Sequence, residues 1–421
     1  MLAAVRRPAE LRGEIRLPGD KSISHRALIL NAVAGGAARV EGLSTGTDID
    51  STAACLRALG VEIEPGTVRG VGLAGLRQAS GPLDCGNSGT TMRLLAGLLA
   101  AQPFPSELIG DASLSSRPME RVVSPLRRMG AAASWPPLRV GGTVPLRGHA
   151  HRCPVASAQV KSALLLAGLR AEGETSVTEP AQTRNHTEVM LAGMGARVRD
   201  EGLTVTVSPV GRLRPLDITV PGDLSAAAFW LVLAGLHPRA SLRLPGVGVN
   251  PTRSAVLGVL ARCGVPVRTG PVHLEGQEPV AGIDIGTGRA EAALEIESAL
   301  AARVIDELPV LAVLAALLPG RSRITGATEL RVKESDRIAA LAAGLAAMGA
   351  RIAELEDGWE IVGPVRLEGA RVLSRGDHRV AMALAVAGAL AEGTTEIEGA
   401  ECVAISYPGF WDDLARVGAL C

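Results

Sequence analysis

One pattern recurs six times along the 421-residue chain: a strand-like run, a polar break containing Gly, Asp, Asn or Ser, and then an apolar helix rich in Ala and Leu. The breaks lie at residues 18–22, 84–93, 157–162, 221–225, 306–309 and 376–379. Their separation of roughly 65 to 85 residues is the scale of a compact supersecondary unit. The pattern therefore predicts a chain built from six similar units.

A second, more amphipathic helix follows in four of the units, over residues 48–59, 188–194, 253–263 and 335–348. Each of these helices ends at a glycine, and a short run containing Val or Ile comes next; the glycines are Gly60, Gly195, Gly264 and Gly349. A helix, a glycine C-cap and a strand in succession are typical of α/β architecture. We therefore predict an α/β (α+β) fold.

The fourth break, PGDLS at residues 221–225, resembles the first, PGDKS at residues 18–22, most closely. This favours two domains of three units each over one continuous array, since repeat arrays are usually more regular. We predict an N-terminal domain at residues 20–220 and a C-terminal domain at residues 1–19 and 221–421. The hinges are expected near residues 19–20 and 218–222.

The composition excludes several classes of protein. Lys plus Arg and Asp plus Glu both number 43, and no basic tail points to nucleic acid, so local basic clusters are expected to serve a small anion. No apolar run reaches the ~18 residues of a membrane span. Six scattered cysteines favour free thiols and a cytoplasmic protein. The HxHxC run at residues 149–153 has no second ligand cluster, so we predict neither metal nor cofactor, and little in the surface pattern suggests more than a monomer.

The first break places basic side chains at the start of a helix. Asp20 or Ser22 can cap this helix, leaving Lys21, Ser22 and Arg26 near its N-terminus, where anions are favoured. A bound phosphate or carboxylate and a merely capped helix with solvated basic residues explain this stretch equally well. It is no P-loop, because Asp20 stands directly before Lys21.

Later breaks repeat the arrangement. The hydroxyl-rich turn at residues 87–91 suits an anionic oxygen, and Arg117 precedes a proline in a turn. The densest charge group, residues 330–337, is expected at a strand-to-helix junction with Ser335 as the cap. Cations near Asp306 and Glu334 would make these carboxylates general acid–base groups. Without a nucleophile motif, the pattern permits proton transfer between small anionic substrates.

These motifs resemble the EPSP synthase (3-phosphoshikimate 1-carboxyvinyltransferase) family nearly end to end. The resemblance is carried, in order, by PGDKSISHR at residues 18–26, GNSGTTMR at 86–93, RPM at 117–119, SAQ at 157–159, RNHTE at 184–188, KESDR at 333–337 and DHR at 377–379. It implies a two-domain inside-out α/β barrel with six βαβαββ units, three per domain. In that family the helix N-termini face a cleft that closes on substrate through two hinge strands.

The resemblance also implies the reaction and its residues. Phosphoenolpyruvate would give its enolpyruvyl group to the 5-hydroxyl of shikimate 3-phosphate, a step of aromatic amino acid biosynthesis, with catalysis by Asp306, Glu334 and Lys21. Shikimate 3-phosphate would be bound by Lys21, Ser22, Arg26, Ser157, Ala158, Gln159, Arg184, Asp306 and Lys333. Phosphoenolpyruvate would be bound by Lys21, Asn87, Gly89, Thr90, Arg117, Gln159, Arg337 and Arg379.

Some positions depart from the common family pattern. Ile405 stands where many members carry a phosphoenolpyruvate-binding Lys, and Glu329 where an Asn often contacts shikimate 3-phosphate. Ser88 and Thr91 replace two alanines, which is similar to the less glyphosate-sensitive branch. Gly89 keeps the small residue that leaves room for glyphosate, so inhibition is expected.

Two other readings compete. The sister transferase that acts on a UDP-amino sugar carries Lys-Asn where this chain has Lys21 and Ser22, and it usually has a catalytic Cys in a loop that here, at residues 111–121, has none. A non-catalytic anion-binding relative would have no need of Asp306 and Glu334 among the cations.

Overall fold

The computed structural model describes residues 1–142 and 144–420. The chain divides into two compact units. The N-terminal unit comprises Gly19–Val220 with Leu274–Glu278, and the C-terminal unit comprises Met1–Pro18, Pro221–His273 and Pro279–Cys421. The chain therefore passes from one unit to the other near residue 18 and again near residue 220, and the short segment 274–278 belongs with the N-terminal unit.

Strands and helices alternate along the described chain. The strands are β1 (Leu2–Arg6), β2 (Leu11–Glu14), β3 (Gly35–Glu41), β4 (Glu62–Glu64), β5 (Thr67–Val71), β6 (Leu83–Asp84), β7 (Pro105–Ile109), β8 (Ala133–Ser134), β9 (Leu138–Gly141), β10 (Leu146–Arg147), β11 (Ala150–Arg152), β12 (Ala171–Glu172), β13 (Thr175–Thr178), β14 (Val198–Glu201), β15 (Thr204–Val207), β16 (Ile218–Thr219), β17 (Ala240–Gly248), β18 (Val267–Thr269), β19 (His273–Glu275), β20 (Glu278–Gly286), β21 (Glu295–Ile296), β22 (Gly320–Ile324), β23 (Arg351–Leu355), β24 (Gly358–Gly363), β25 (Arg371–Leu373) and β26 (Thr394–Glu398).

The helices are α1 (Lys21–Ala32), α2 (Thr47–Ala58), α3 (Gly89–Ala100), α4 (Ala112–Ser115), α5 (Glu120–Arg128), α6 (Ala158–Gly168), α7 (His186–Gly193), α8 (Leu224–Leu236), α9 (Ala255–Arg262), α10 (Ser298–Arg303), α11 (Leu308–Leu317), α12 (Arg337–Ala347), α13 (His378–Leu390) and α14 (Phe410–Arg416). Two 3₁₀ helices lie at Thr328–Val332 and Ala400–Ile405.

Six sheets share one pairing pattern, in which a parallel strand pair continues into antiparallel neighbours. In the N-terminal unit the strand orders are β16-β3-β5-β4, β6-β7-β9-β8 and β11-β13-β15-β14. In the C-terminal unit they are β2-β17-β20-β18, β21-β22-β24-β23 and β25-β26-β1. The recurrence of this topology is the structural counterpart of the sixfold sequence pattern.

Each unit is built around three helices that are apolar on all sides. In the N-terminal unit they are α1, α3 and α6, and in the C-terminal unit they are α8, α11 and α13. All thirteen residues of α13 are buried. Ala and Leu dominate these helices because a helix surrounded by protein has no solvent-facing side to make polar. Polar residues of the central helices are thus concentrated at their first turns.

The helix ends largely follow the sequence signals. The side chain of Asp20 caps α1 by accepting a hydrogen bond from the backbone N–H of Ile23 at 2.9 Å. The four glycines at the ends of the amphipathic helices all have φ between 81° and 90°, the left-handed conformation of a C-cap; they are Gly60, Gly195, Gly264 and Gly349. Both observations confirm the predicted helix termini.

The charge-rich stretch before α12 differs from the prediction in two respects. Asp336, not Ser335, caps the helix, since its carboxylate accepts the N–H of Ala339 at 3.0 Å. The preceding segment is the 3₁₀ helix Thr328–Val332 and not a strand. The hydroxyl of Ser335 instead donates to Asp377 at 3.2 Å.

Helices α3 and α6 approach each other closely at a glycine. A Cβ atom added to Gly97 would lie 2.0 Å from the carbonyl oxygen of Ala163 and 2.6 Å from its Cα atom. Backbone atoms cannot move aside as a flexible side chain can. In contrast, a Cβ atom at Gly258 in α9 would meet nothing nearer than the guanidinium of Arg262 at 3.8 Å.

A buried histidine stands out in the third sheet of the N-terminal unit. The ring of His151 in β11 is 4.7 Å from that of His149, and neither ring nitrogen has a hydrogen-bond partner among the described residues. Burial, with smaller contributions from His149 and Arg128, lowers the pKa of His151 to about 4. As the pH falls, the unfolded chain therefore takes up a proton at His151 at a higher pH than the folded chain does.

Substitution of the two helical glycines should have opposite effects. We expect Gly97→Ala to lower the free energy of unfolding by about 1–3 kcal/mol, because the new methyl group overpacks the α3–α6 contact. Gly258→Ala should raise it by about 0.5–1 kcal/mol, since alanine loses less backbone entropy in a helix. Urea denaturation followed by circular dichroism measures both. Equal effects of the two substitutions would contradict the packing described.

The stability of the protein should fall as the pH is lowered from 6.5 towards 4. His151 stays neutral in the folded protein down to a pKa of about 4, whereas in the unfolded chain it takes up a proton below about pH 6.5. Its contribution to the free energy of unfolding is therefore fully present above about pH 6.5 and is lost as the pH falls from about 6.5 to 4. The His151→Phe variant should show a shallower fall in urea midpoint over this range. The control is His273→Gln, which changes an exposed histidine and should keep the wild-type slope. Identical slopes for all three proteins would show that His151 does not take part.

Candidate active site

The first turn of α1 brings two residues of the PGDKS motif to side-chain partners from distant parts of the chain. Lys21 Nζ donates to Asp48 Oδ2 at 2.9 Å, at the start of α2, and both side chains are largely buried. Ser22 Oγ accepts a hydrogen bond from Arg184 Nη1 at 2.9 Å. The structure thus gathers Lys21, Ser22 and Arg184, which lie far apart in sequence, at one helix N-terminus.

Arg26 lies one turn further along α1 and is 2% exposed. Its guanidinium donates to Thr187 Oγ1 at 2.7 Å, to Ser162 Oγ at 2.8 Å and to the carbonyl oxygen of Ser22 at 2.9 Å. These bonds tie α1 to α6 and α7. Arg26 therefore has a structural function in addition to any contact with a ligand.

A buried ion cluster lies directly beside these contacts. Lys161 Nζ is 2.7 Å from Glu179 Oε2 and 2.8 Å from Glu188 Oε1, and all three side chains are at most 5% exposed. Burial acts to lower the pKa of Lys161, but the two carboxylates outweigh it and the pKa is raised. The consecutive residues 161–162 on α6 thus contact the consecutive residues 187–188 on α7.

The start of α3 forms a second polar group. Ser88 caps the helix, and Gly89 and Thr90 are its first two residues. Thr90 Oγ1 accepts a hydrogen bond from Gln159 Nε2 at 2.9 Å, and Gln159 Oε1 accepts one from Arg93 Nη1 at 2.6 Å. Gln159 lies in the first turn of α6, which Ser157 caps and Ala158 begins. The N-termini of α3 and α6 are therefore joined by side chains.

Two guanidinium groups lie against Gly89. A Cβ atom at this glycine would be 2.7 Å from Arg93 Nη1 and 3.3 Å from Arg117 Nη1. Arg117 Nη2 donates to Asn87 Oδ1 at 2.5 Å, and Asn87 Nδ2 donates to Asp111 Oδ2 at 2.7 Å. The absence of a side chain at Gly89 lets the two cations approach the backbone of the turn.

In the C-terminal unit, Arg337 is the centre of a group of carboxylates. Its side chain is 1% exposed, and its nitrogens are 2.5 Å from Glu334 Oε2, 2.8 Å from Asp377 Oδ2 and 3.7 Å from Asp306 Oδ1. Burial opposes the charged form, but Asp377 and Glu334 outweigh it and raise the pKa of Arg337. This guanidinium therefore remains charged although it is fully buried.

Arg379 shares Asp306 with Arg337. Its Nη1 donates to the carbonyl oxygen of Asp306 at 2.8 Å, and its Nη2 is 3.6 Å from Asp306 Oδ2. Asp377 caps α13 by accepting the N–H of Arg379 at 2.9 Å. Burial, and then the charge of Arg337, lower the pKa of Arg379. Asp306, Glu334, Arg337 and Arg379 thus form one cluster, and Lys333 is half-buried immediately before it.

A further buried network stands behind Asp306. Glu307 accepts a hydrogen bond from Ser225, whose hydroxyl in turn accepts one from Arg253 Nη2 at 2.5 Å. Arg253 Nη2 is also 3.4 Å from Glu307 Oε1 and 3.7 Å from Asp223 Oδ1. The network ties the starts of α8 and α11 to the loop before α9.

The sequence analysis missed several partners of the candidate residues. Arg93, Thr187 and Asp377 belong to the quoted motifs but were given no function, and Asp48 was considered only as the start of a predicted amphipathic helix. Ser162, Ser225 and Glu307 lie within the recurring breaks but were given no function, and no local signal singled out Arg253. Their importance depends on contacts between elements that are distant in sequence.

The described residues contain neither a cluster of metal ligands nor a helix that could span a membrane. Within residues 1–142 and 144–420, no three His, Cys, Asp or Glu side chains are grouped as metal ligands would be. None of the helices in that part of the chain combines the length and the apolar character needed to cross a bilayer.

Comparison with known proteins identifies the family. The model of the EPSP synthase (3-phosphoshikimate 1-carboxyvinyltransferase) family matches residues 5–414. The chain is 50% identical to the 3-phosphoshikimate 1-carboxyvinyltransferase of Roseiflexus castenholzii, over 97% of this chain and 98% of the relative. It is 52% identical to that of Gloeobacter violaceus, over 97% of this chain and 96% of the relative.

Solved structures agree. An EPSP synthase structure from Acinetobacter baumannii matches 99% of this chain and 98% of its own, with a TM-score of 0.88 and 41% sequence identity. This confirms the predicted two-domain α/β fold of the enolpyruvyl transferase type. The chain therefore belongs to the EPSP synthase family.

Proposed function

We propose that the chain carries out the enolpyruvyl transfer of its family with Asp306, Glu334 and Lys21 as catalytic groups. The observation that carries this proposal is the cluster around Arg337. There, two carboxylates suited to proton transfer, Asp306 and Glu334, are held by the guanidinium groups of Arg337 and Arg379. A scaffold protein would gain little from burying so many charges, because their desolvation is costly.

Shikimate 3-phosphate is bound at helix N-termini in this proposal. Its phosphate meets the N-terminus of α6, where free backbone N–H groups and the helix dipole favour an anion. The hydrogen bond between Ser22 and Arg184 supports a polar site at the neighbouring α1. The full set of residues proposed for this substrate is Lys21, Ser22, Arg26, Ser157, Ala158, Gln159, Arg184, Asp306 and Lys333.

Phosphoenolpyruvate is bound by a second set of groups, which shares Lys21 and Gln159 with the first. Arg93 and Arg117 against Gly89 supply positive charge at the N-terminus of α3, and Arg337 Nη1, fully buried, has no hydrogen-bond partner among the described residues. The proposed set is Lys21, Asn87, Gly89, Thr90, Arg117, Gln159, Arg337 and Arg379. Ile405, at the end of a 3₁₀ helix, contributes no charge. Gly89 leaves space for glyphosate, which we expect to compete with phosphoenolpyruvate.

The reaction proceeds by addition and elimination. Asp306 removes the proton of the 5-hydroxyl as the oxygen attacks C2 of phosphoenolpyruvate, and Glu334 with Lys21 delivers a proton to C3. Transfer of a proton from the C3 methyl group back to Glu334 re-forms the double bond while the C2–O bond to phosphate breaks, giving 5-enolpyruvylshikimate 3-phosphate and phosphate. The surrounding cations stabilise the charge on the departing phosphate.

The assembly state and the compartment belong to the same proposal. We expect a monomer, with a single elution volume in size-exclusion chromatography. The cysteines described, Cys55, Cys85, Cys153, Cys263 and Cys402, are free thiols, which supports a reducing cytoplasm.

Replacement of Glu334 should impair chemistry more than binding. Glu334→Gln keeps the size of the side chain but removes the proton-transfer group, so kcat should fall about 10²–10⁴-fold. Phosphate release from phosphoenolpyruvate and shikimate 3-phosphate measures this, with UDP-N-acetylglucosamine as the control acceptor. Glu354→Gln is the matched variant, because Glu354 also pairs with an arginine, Arg331 at 2.9 Å, but is 42% exposed. Full activity of Glu334→Gln, or turnover of the UDP-sugar, would refute the proposal.

Replacement of Arg117 should impair binding of one substrate. In Arg117→Ala, the KM for phosphoenolpyruvate should rise about 10–100-fold, the worth of a charge-assisted hydrogen bond. The KM for shikimate 3-phosphate should change little. Arg127→Ala is the control, since Arg127 pairs with Glu120 at 2.9 Å on the exposed side of α5. Equal increases in both KM values for Arg117→Ala would show that Arg117 does not select phosphoenolpyruvate.

A further inference from the structure

A continuous chain of buried side-chain hydrogen bonds runs through the N-terminal unit. His25 Nδ1 is 2.7 Å from Thr52 Oγ1, Thr52 Oγ1 is 2.6 Å from Thr91 Oγ1, and Thr91 Oγ1 is 2.7 Å from Ser88 Oγ. All four residues are completely buried. The mechanism above uses none of these groups, although three of them are hydroxyls placed beside the proposed site.

The hydrogen-bond chain connects the N-terminal halves of three helices. His25 lies on α1, Thr52 on α2 and Thr91 on α3, and Ser88 is the cap of α3. Ser88 Oγ also accepts the backbone N–H of Thr91 at 3.2 Å, which fixes the turn that contains Gly89 and Thr90. One end of the chain therefore holds the backbone that we assign to phosphoenolpyruvate.

Asp48 links the same chain to Lys21. The carbonyl oxygen of Asp48 is within hydrogen-bond distance of the hydroxyls of Thr52, at 3.3 Å, and of Thr91, at 3.4 Å. Its carboxylate accepts the bond from Lys21 at 2.9 Å. A displacement of the threonine hydroxyls would thus be felt both at the α3 turn and at the proposed catalytic ammonium group.

The hydrogen-bond chain is electrically neutral at the end formed by His25. Burial, and then the charges of Lys21 and Arg26, place the pKa of His25 well below its ordinary value. The neutral ring offers one donor and one acceptor, and Nδ1 faces Thr52. A neutral group can be buried beside two cations without repelling them, which a charged imidazole could not.

From these contacts we propose that Thr52, Thr91 and Ser88, with His25, are positioning residues that hold the Gly89–Thr90 turn in register with Lys21 and so set the affinity for phosphoenolpyruvate. The proposal rests on the assignment of Gly89, Thr90 and Lys21 to phosphoenolpyruvate made above. It gives a function to Ser88 and Thr91, the two positions at which the sequence departs from the alanines of the common family pattern.

The test removes single hydroxyls without changing side-chain shape. Thr91→Val and Thr52→Val replace the hydroxyl by a methyl group, whereas Thr91→Ser and Thr52→Ser keep it. The Val variants should raise the KM for phosphoenolpyruvate about tenfold, because neighbouring buried hydroxyls lose their partner and the turn shifts. The KM for shikimate 3-phosphate should stay within about twofold, and the Ser variants should recover most of the wild-type affinity.

A control separates this effect from a general cost of valine in the core. Thr175→Val changes a fully buried threonine of the same unit whose hydroxyl has no hydrogen-bond partner among the described residues. It should leave both KM values unchanged. If Thr91→Val does not fold, Thr52→Val and Thr52→Ser give the same comparison, with thermal denaturation as the check of folding.

The outcomes are distinguishable from failure of the proposed function. If Val and Ser variants behave alike, or if the two KM values rise together, the positioning proposal is wrong. If Arg117→Ala also leaves the KM for phosphoenolpyruvate unchanged, the assignment of the phosphoenolpyruvate site itself is wrong. A selective, tenfold increase that serine reverses supports both.

Discussion

Burial of almost the whole length of the central helices is the constraint from which the other features of each unit follow. A helix with protein on every side cannot carry polar residues along its length without burying them unpaired, which is costly. Its first turn is different, because the backbone N–H groups there require acceptors in any case. Most polar and charged side chains of α1, α3, α6 and α13 are accordingly found towards the N-terminal ends, whereas α11 has none and Asp306 and Glu307 stand just before it. Side chains for binding or catalysis can be placed at these helix starts with little effect on the apolar core.

Charges placed at such positions have to be balanced locally. Arg337 is surrounded by three carboxylates, and Lys161 by two. In the three contacts described above, Arg26 donates to neutral oxygens. Removal of one partner from a buried pair leaves an uncompensated charge at a cost of about 3–5 kcal/mol. The carboxylates proposed for catalysis, Asp306 and Glu334, are therefore also part of what keeps the buried arginines in place, and their replacement would affect structure as well as the proposed chemistry.

Sequence alone could predict the helices and their caps, because these depend on local patterns. Asp20 as an N-cap and Gly60 as a C-cap are examples, since both signals lie within a few residues of the helix end. That Asp336 and not Ser335 caps α12 could not be predicted, because the hydroxyl of Ser335 donates to Asp377, which is distant in sequence. Asp48 was missed for the same reason: its partner Lys21 is 27 residues away.

The two PGD motifs show how one local structure can serve different ends. Asp20 and Asp223 both cap a central helix, and the serine two residues later accepts a hydrogen bond from an arginine in each case, Ser22 from Arg184 and Ser225 from Arg253. At Ser225 the hydroxyl donates to the buried carboxylate of Glu307, so the protein itself supplies the anion. At Ser22 the neighbouring residue is Lys21, where the second motif has Leu224. At the α8 start two carboxylates, Asp223 and Glu307, accompany Arg253, which suits a contact that holds the fold together. At the α1 start the cations of Lys21, Arg26 and Arg184 outnumber the carboxylates of Asp20 and Asp48, and this excess of positive charge suits an anionic substrate.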